Sequence, residues 1–317
     1  MSDPSTVIPQ SSIWKAYTFS GSIKPSNAAC LKRAAATIVE RTEGRVRTEF
    51  HLGNTLPIKV SDLVPAVGRR EIHLGDDTFF LNTVPGGELI QLPMLVLTRS
   101  EYLSAMKIIE PSIVKAYEAV GVEILGRYDF VPSYLFGSGS AEINSLDSLR
   151  GRRFRVARPN IHQDFLAEFG ANSVGLLTPD VIRELEQGRV DGAVTGFSGG
   201  ASVWRDHLTS VFQLPIYFGQ GFFVVNRRAL AGLSSGDREQ VREICAREAV
   251  ASTDIMHSEE IEMINVFSRL GMRFTTPSEA EFQAALQVAA TCWDRWATTQ
   301  NTETKKLLSA VREELRR

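Results

Sequence analysis

Side chains able to do chemistry are scattered in this sequence where catalysis would need them gathered. His51, His73, His162, His207 and His257 stand alone, without the H-x-x-x-H or H-E-x-x-H spacing that puts two ligands of a metal on one helix face. Cys30, Cys245 and Cys292 lie far apart and include no C-x-x-C pair, so they read as buried, inert thiols rather than a zinc site or a disulfide framework. No dinucleotide loop follows the first strand and no Walker loop is present, while Gly137-Ser138-Gly139-Ser140 reads as a crossover loop. No nucleophile paired with a base is read from the chain, so neither a catalytic residue, a metal nor a cofactor is expected. What remains is binding chemistry. Arg155 carries a planar fork of donors that can meet a carboxylate bidentately, although it could also face solvent or pair with Asp191. Asp76 and Asp77 are adjacent carboxylates at a strand end, suited to hydroxyl or amine donors of a ligand or else to a solvated loop.

These side chains sit on an ordinary globular chain. Its 317 residues are 43% hydrophobic and 23% charged, which allows two lobes with sizeable cores. The net charge is -2 and both signs are spread along the chain, so no basic stripe invites nucleic acid or an anionic membrane. No apolar run approaches the ~20 residues of a membrane helix, and no direct membrane insertion is expected. Met1-Ser2-Asp3-Pro4 lacks the basic and apolar regions of a secretory signal, which fits a cytoplasmic protein or an exported one without its leader.

The elements that would position the candidates alternate. Ile13 to Phe19 reads as a strand, followed by a helix capped by Asn27 and stopped near Gly44. Val46 to Leu52 is a second strand, Asp62 to Val67 a short helix, and Ile72 to Phe80 a third strand. This order predicts a parallel sheet covered by helices, with ligands at the carboxyl ends of its strands, where Phe19, Asp76 and Asp77 fall. The unit recurs as a strand Arg153 to Ala157, a helix capped by Asn160 through Phe169, a helix bounded by Thr178-Pro179 and Gly188, and a strand Val190 to Thr195. Phe222-Phe223-Val224-Val225 reads as a strand covered on both faces. From Ser235 to Gly271 an apolar stripe of helical period predicts one long helix, spanning both lobes. The tail from Ser278 to Arg317 reads as largely helical.

Several segments, in this order, resemble the DctP-type solute-binding proteins of tripartite ATP-independent periplasmic (TRAP) transporters. They are Ile38-Val39-Glu40-Arg41-Thr42-Glu43-Gly44-Arg45-Val46, Leu92-Pro93, the stretch from Ile143 through Gly151-Arg152-Arg153-Phe154-Arg155-Val156, Thr178-Pro179, Leu185-Glu186-Gln187-Gly188-Arg189-Val190-Asp191-Gly192, and Val225-Asn226. The resemblance implies an α/β, two-lobed periplasmic-binding-protein-like fold with a central cleft and a long bracing helix. Lobe I would hold residues 1–130 and 222–262, lobe II residues 131–221 and 263–317, and the helix about 236–270 would span both. It also implies a periplasmic location and a partnership with membrane permease subunits, to which a small organic acid is delivered.

By the same resemblance Arg155, in the G-x-x-x-R-V segment, pairs with the ligand's carboxylate. The position that in this family often carries a ligand-contacting Asn is Thr195 here, and Leu135 stands near where some members place a second Arg. One carboxylate on a rather apolar body is the simplest ligand for that set. Asp76 aligns with an acidic position that contacts hydroxyl or amine groups in sugar-acid-binding members. Phe19, Tyr217 and Gln220 fall where the family lines its cleft, His162 opens the helix after Arg155, and Phe197 either stacks on the ligand or fills its lobe. Arg127 and Tyr128 precede the expected first crossover between lobes. A sensing module that reports to a receptor and, less readily, an enzyme on a similar scaffold are the competing functions.

Overall fold

A computed structural model describes residues 12–53, 55–157 and 159–317; Met1-Ser2-Asp3-Pro4 and the side chain of Asn160 lie outside what it describes. In chain order the strands and helices are β1 Ser12–Thr18, α1 Ser26–Arg41, β2 Val46–His51, α2 Leu63–Gly68, β3 Leu74–Asp77, α3 Arg99–Ala119, β4 Val122–Asp129 and β5 Ser133–Ser138. They continue with β6 Arg153–Val156, α4 Pro159–Glu168, β7 Asn172–Gly175, α5 Val181–Glu186, β8 Gly192–Thr195, the short α6 Ser202–Trp204, β9 Leu208–Tyr217 and β10 Gln220–Asn226. Last come α7 Arg227–Ala231, α8 Ser235–Arg269, β11 Arg273–Thr275, α9 Glu279–Thr298 and α10 Thr302–Leu315. The chain divides into two compact units, one of Met1–Phe80, Val114–Tyr128 and Gln220–Asp254, the other of Leu81–Ile113, Asp129–Gly219 and Ile255–Arg317.

The first unit is built on a sheet of order β2-β1-β3-β10-β4. β1 runs parallel to β2 and β3, whereas β10 is antiparallel to β3, so the sheet is mixed and not wholly parallel as the alternation of elements suggested. Every residue of β10 is buried, which explains its unbroken apolar run from Phe222 to Val225: no face of it meets water. Helix α1 starts two residues earlier than the sequence suggests, after Pro25. Asn27 does not cap it, because its amide is drawn instead to Asp76, Nδ2 to Oδ2 2.7 Å. The third strand is shorter than its apolar and β-branched content predicts. Asp77 accepts the Phe79 N–H at 3.1 Å and that of Phe80 at 3.3 Å, and this local turn competes with the ladder and ends the strand.

The second unit carries a sheet of order β11-β9-β5-β8-β6-β7, in which β6 is parallel to β7 and β8 while β5 is antiparallel to β8 and β9. Phe136, Phe197, Trp204, Val211 and Phe267 pack in one buried core over it. Residues 81–113 belong here and not with the first lobe, where sequence placed them. Leu89, Ile90, Leu92, Met94 and Leu95 are all buried, the Trp293 indole donates to the Pro93 carbonyl at 2.7 Å, and the Met94 N–H reaches the Ile216 carbonyl at 2.7 Å. Helix α8 runs unbroken for 35 residues and contributes to both units, divided after Asp254. The expected tail is helical, with Ser278 and Glu281 forming the capping box that starts α9. Thr178 to Asp180 make a single 3₁₀ turn preceding α5 instead of its first turn.

Candidate functional site

Arg155 lies at the carboxyl end of β6, opposite Ala193 of β8, with Thr195 two residues farther along β8 and so on the same face of the sheet. Its side chain is buried, the residue being only 6% exposed. Nε donates to the Leu176 carbonyl at 3.0 Å and the guanidinium carbon sits 5.1 Å from the centre of the Trp204 ring. Among the described residues no carboxylate pairs with it. Asp191, the obvious competitor in sequence, is taken by Arg153, whose Nε and backbone N–H reach the same carboxylate oxygen at 3.0 and 2.8 Å. Burial pulls the Arg155 guanidinium below its ordinary value, with Tyr217 opposing, yet an arginine stays charged. A cation removed from water without a counterion is costly, and an anion that fits beside it recovers that cost.

The groups around Arg155 are held by backbone geometry that Gly200 permits. A Cβ on Gly200 would come within 2.4 Å of the Trp204 ring and 2.9 Å of Thr195 Oγ1, so only glycine lets that ring lie under the guanidinium. The Gly200 N–H donates to Thr195 Oγ1 at 3.0 Å, which leaves the Thr195 hydroxyl its own proton to give. The Trp204 indole is anchored in turn on the Thr178 carbonyl at 3.3 Å. Tyr217 stacks on His162, with centroids 4.5 Å apart and planes at 25°, and His162 Nε2 lies 3.0 Å from the Gln91 carbonyl. Phe197 is fully buried, edge-on to Phe136 and stacked on Phe274, so of its two sequence readings the structure gives it the filling one. Trp204 and Gln91 were not anticipated. The Gly199-Gly200 pair just before a tryptophan was the available signal for the first, whereas nothing local to Gln91 marks it.

Asp76, Phe19 and Gln220 belong to the other unit. Asp76 is 0% exposed: Oδ2 accepts from Thr18 Oγ1 and Asn27 Nδ2, each at 2.7 Å, and Oδ1 accepts from the Tyr128 hydroxyl. Among the described residues no cation faces it, and burial pushes its carboxyl up to about 6 against the pull of those three donors. Burial and the Asp76 charge together raise Tyr128 well above its usual range, which keeps it a donor. Gly221 makes that contact possible, since a Cβ there would fall 2.2 Å from the Tyr128 oxygen. Asp77 accepts from the Tyr117 hydroxyl at 2.6 Å. Phe19 is partly exposed and meets Phe79 edge-on at 5.4 Å, Gln220 is buried at the start of β10, and Arg127 is half-buried on β4.

One spacing escaped the reading of the sequence: Gly196-Phe197-Ser198-Gly199-Gly200 is a G-x-S-x-G segment between β8 and α6, the setting of a nucleophile elbow. Its geometry is not that of a hydrolase. Ser198 does not adopt the strained positive φ of such an elbow, and among the described residues no histidine hydrogen-bonds it. The N–H groups of Phe197 and Ser198 are already held by the Glu260 carboxylate at 3.3 and 2.6 Å, and that of Gly199 by the Gly196 carbonyl at 3.2 Å. Among the described residues no group of three side chains could hold a metal ion, and no helix is long and apolar enough to cross a membrane.

One of the two α/β units thus presents, at the end of a strand, a buried arginine that no carboxylate pairs with among the described residues. The model of the bacterial extracellular solute-binding protein family 7, DctP, matches residues 20–300, and the chain belongs to that family. No curated protein matches it in sequence. Among solved structures it resembles DctP7, an extracytoplasmic solute receptor of Bordetella pertussis binding pyroglutamic acid, with a TM-score of 0.83, 18% identity, and 95% of this chain and 99% of that one covered. A TRAP periplasmic solute-binding protein of a Sulfitobacter species with bound β-D-galacturonate gives 0.83, 15%, 95% and 100%. One of Ralstonia eutropha with bound (S)-2-acetolactate gives 0.81, 18%, 95% and 99%. The fold is therefore the α/β fold of TRAP solute-binding proteins, as the resemblance in sequence implied.

Proposed function

We propose that this chain captures a small organic acid through Arg155, outside the cytoplasm, and delivers it to the membrane permease of a TRAP transporter without acting on it chemically. The observation that carries the reading is the buried guanidinium, seated on Trp204, fixed by the Leu176 carbonyl and without a carboxylate partner among the described residues. Such a group is pre-oriented before the ligand arrives, so little binding energy is spent ordering it. Thr195, Tyr217 and His162 complete the contacts on that side, Thr195 offering a hydroxyl proton to an oxygen of the ligand. Asp76, with both oxygens engaged by its own unit, is assigned to the frame of that unit. Membership of the family and the acids bound by its structural relatives support a carboxylate ligand.

A thermal-shift series with pyroglutamate, D-galacturonate, D-glucuronate and (S)-2-acetolactate, each beside an uncharged analogue, tests the reading. An acid at about 100 times its dissociation constant adds about 2.7 kcal/mol of stability, a shift of several degrees for a chain of this size. Stabilisation by an acid and not by its uncharged analogue supports carboxylate capture. Equal stabilisation by both, or by neutral compounds alone, overturns it.

A further inference from the structure

We propose that Glu260, on helix α8, is a positioning residue for the carboxylate site: it clamps the turn that places Trp204 and Thr195 beside Arg155. The inference rests on the reading of Arg155 as the ligand anchor. Glu260 is 8% exposed, and among the described residues no cation pairs with it. Its two oxygens instead accept the consecutive N–H groups of Phe197 and Ser198. A buried carboxylate that no cation pairs with among the described residues is an expensive way to close a turn, since a neutral side chain would do so without the cost of desolvating a charge. The expense has a function if the position of the turn matters.

What the turn carries is the floor of the site. Three residues past Phe197, Gly200 gives its N–H to Thr195 Oγ1 and leaves room for the Trp204 ring. The Ser202 hydroxyl closes back on the Gly199 carbonyl at 2.7 Å and ties the turn to the start of α6, which carries Trp204. Displacing the turn tilts the ring on which the Arg155 guanidinium rests. The groups facing Glu260 are few. Ser198 lies on the turn, and Tyr134 of β5 has its phenol pushed up to about 12 by burial first and by the Glu260 charge second; Glu259 and Glu262 flank it on α8 itself. Burial raises Glu260 above the ordinary glutamate value, while the N–H and hydroxyl of Ser198 and the N–H of Phe197 oppose the rise.

Amide and indole resonances of the full chain test this without any ligand. The Phe197 and Ser198 amides and the Trp204 indole N–H, assigned by Trp204→Phe, are expected to titrate together with one midpoint above the usual glutamate value, and to stop titrating in Glu260→Gln. Glu259 remains in that variant, so any titration it causes would persist. A second arm uses the tightest acid among pyroglutamate, D-glucuronate and (S)-2-acetolactate. Glu260→Gln should weaken it roughly tenfold, about one hydrogen bond to a charged group, and should have no further effect in a Trp204→Ala background. Met263→Ala, on the same helix, should lower the unfolding midpoint and leave the dissociation constant unchanged. A Trp204 indole blind to the titration, or an equal loss of affinity with and without Trp204, overturns the proposal. If none of these acids binds the wild type, the reading of Arg155 fails for these acids and the resonance arm alone decides the role of Glu260.

Discussion

Replacing Asp76 by asparagine should stabilise this protein at neutral pH and remove a pH dependence that the wild type shows. In the folded chain the Asp76 carboxyl sits at about 6, against an ordinary value near 3.8, because burial outweighs its three hydrogen bonds. At pH 4 the folded state holds a proton on Asp76 that the unfolded chain is losing. As pH rises to about 6 the folded state must give it up, and stability falls. The difference of about 2 units is worth about 3 kcal/mol, absent near pH 4 and fully felt above pH 6 to 7.

Asparagine mimics the protonated acid. Its carbonyl can take the Thr18 and Asn27 donors, and its amide can give to the Tyr128 oxygen if that hydroxyl rotates to accept. The two proteins should therefore unfold at nearly the same denaturant midpoint at pH 4 and diverge as pH rises. By pH 7.5 the variant should be ahead by up to about 3 kcal/mol, read from the shift of its denaturant midpoint. Parallel midpoints from pH 4 to 7.5 would refute the reasoning, as would a variant less stable than the wild type at every pH.

Other substitutions read different parts of the structure. Phe197→Ala, in the core with Phe136, Phe267 and Phe274, should cost about 3 to 5 kcal/mol in urea unfolding. Gly221→Ala should lower the midpoint by about 1 to 3 kcal/mol or more, since its Cβ would strike the Tyr128 hydroxyl 2.2 Å away. The Cβ would meet the Tyr128 ring carbons as well as its oxygen, so the loss should shrink when Gly221→Ala is made in a Tyr128→Ala background, which a midpoint comparison would show. Arg155→Lys keeps the charge but loses the fork and most of the contact with the Trp204 face; calorimetry should show at least a tenfold weaker carboxylate, about 1.4 kcal/mol.

Much of the fold was legible because its signals are local. The fully buried strand β10, the long helix α8 and the helical tail from Ser278 are each written in local sequence, and each is present. Asn27 and the third strand were misread because a side chain chose a distant or competing partner: Asn27 its link to Asp76, Asp77 the N–H groups just beyond it. The placement of residues 81–113 depends on Trp293 and Ile216, some 200 and 120 residues away, and no local pattern reports contacts of that range. Arg155 and Thr195 could be named from motif and resemblance. Trp204 under the guanidinium and Glu260 behind the turn come from packing between elements remote in sequence, and only the structure brings them into view.

Titration calorimetry of the wild type and Arg155→Ala, with the best acid from the thermal screen, decides whether Arg155 holds the carboxylate. Loss of one partner of a desolvated, hydrogen-bonded charge pair costs about 2 to 5 kcal/mol, so the variant should bind roughly 30-fold to several thousand-fold more weakly at an unfolding midpoint no lower than the wild type's without ligand. An Arg155→Ala protein that binds the same acid within a few-fold of the wild type would contradict the account.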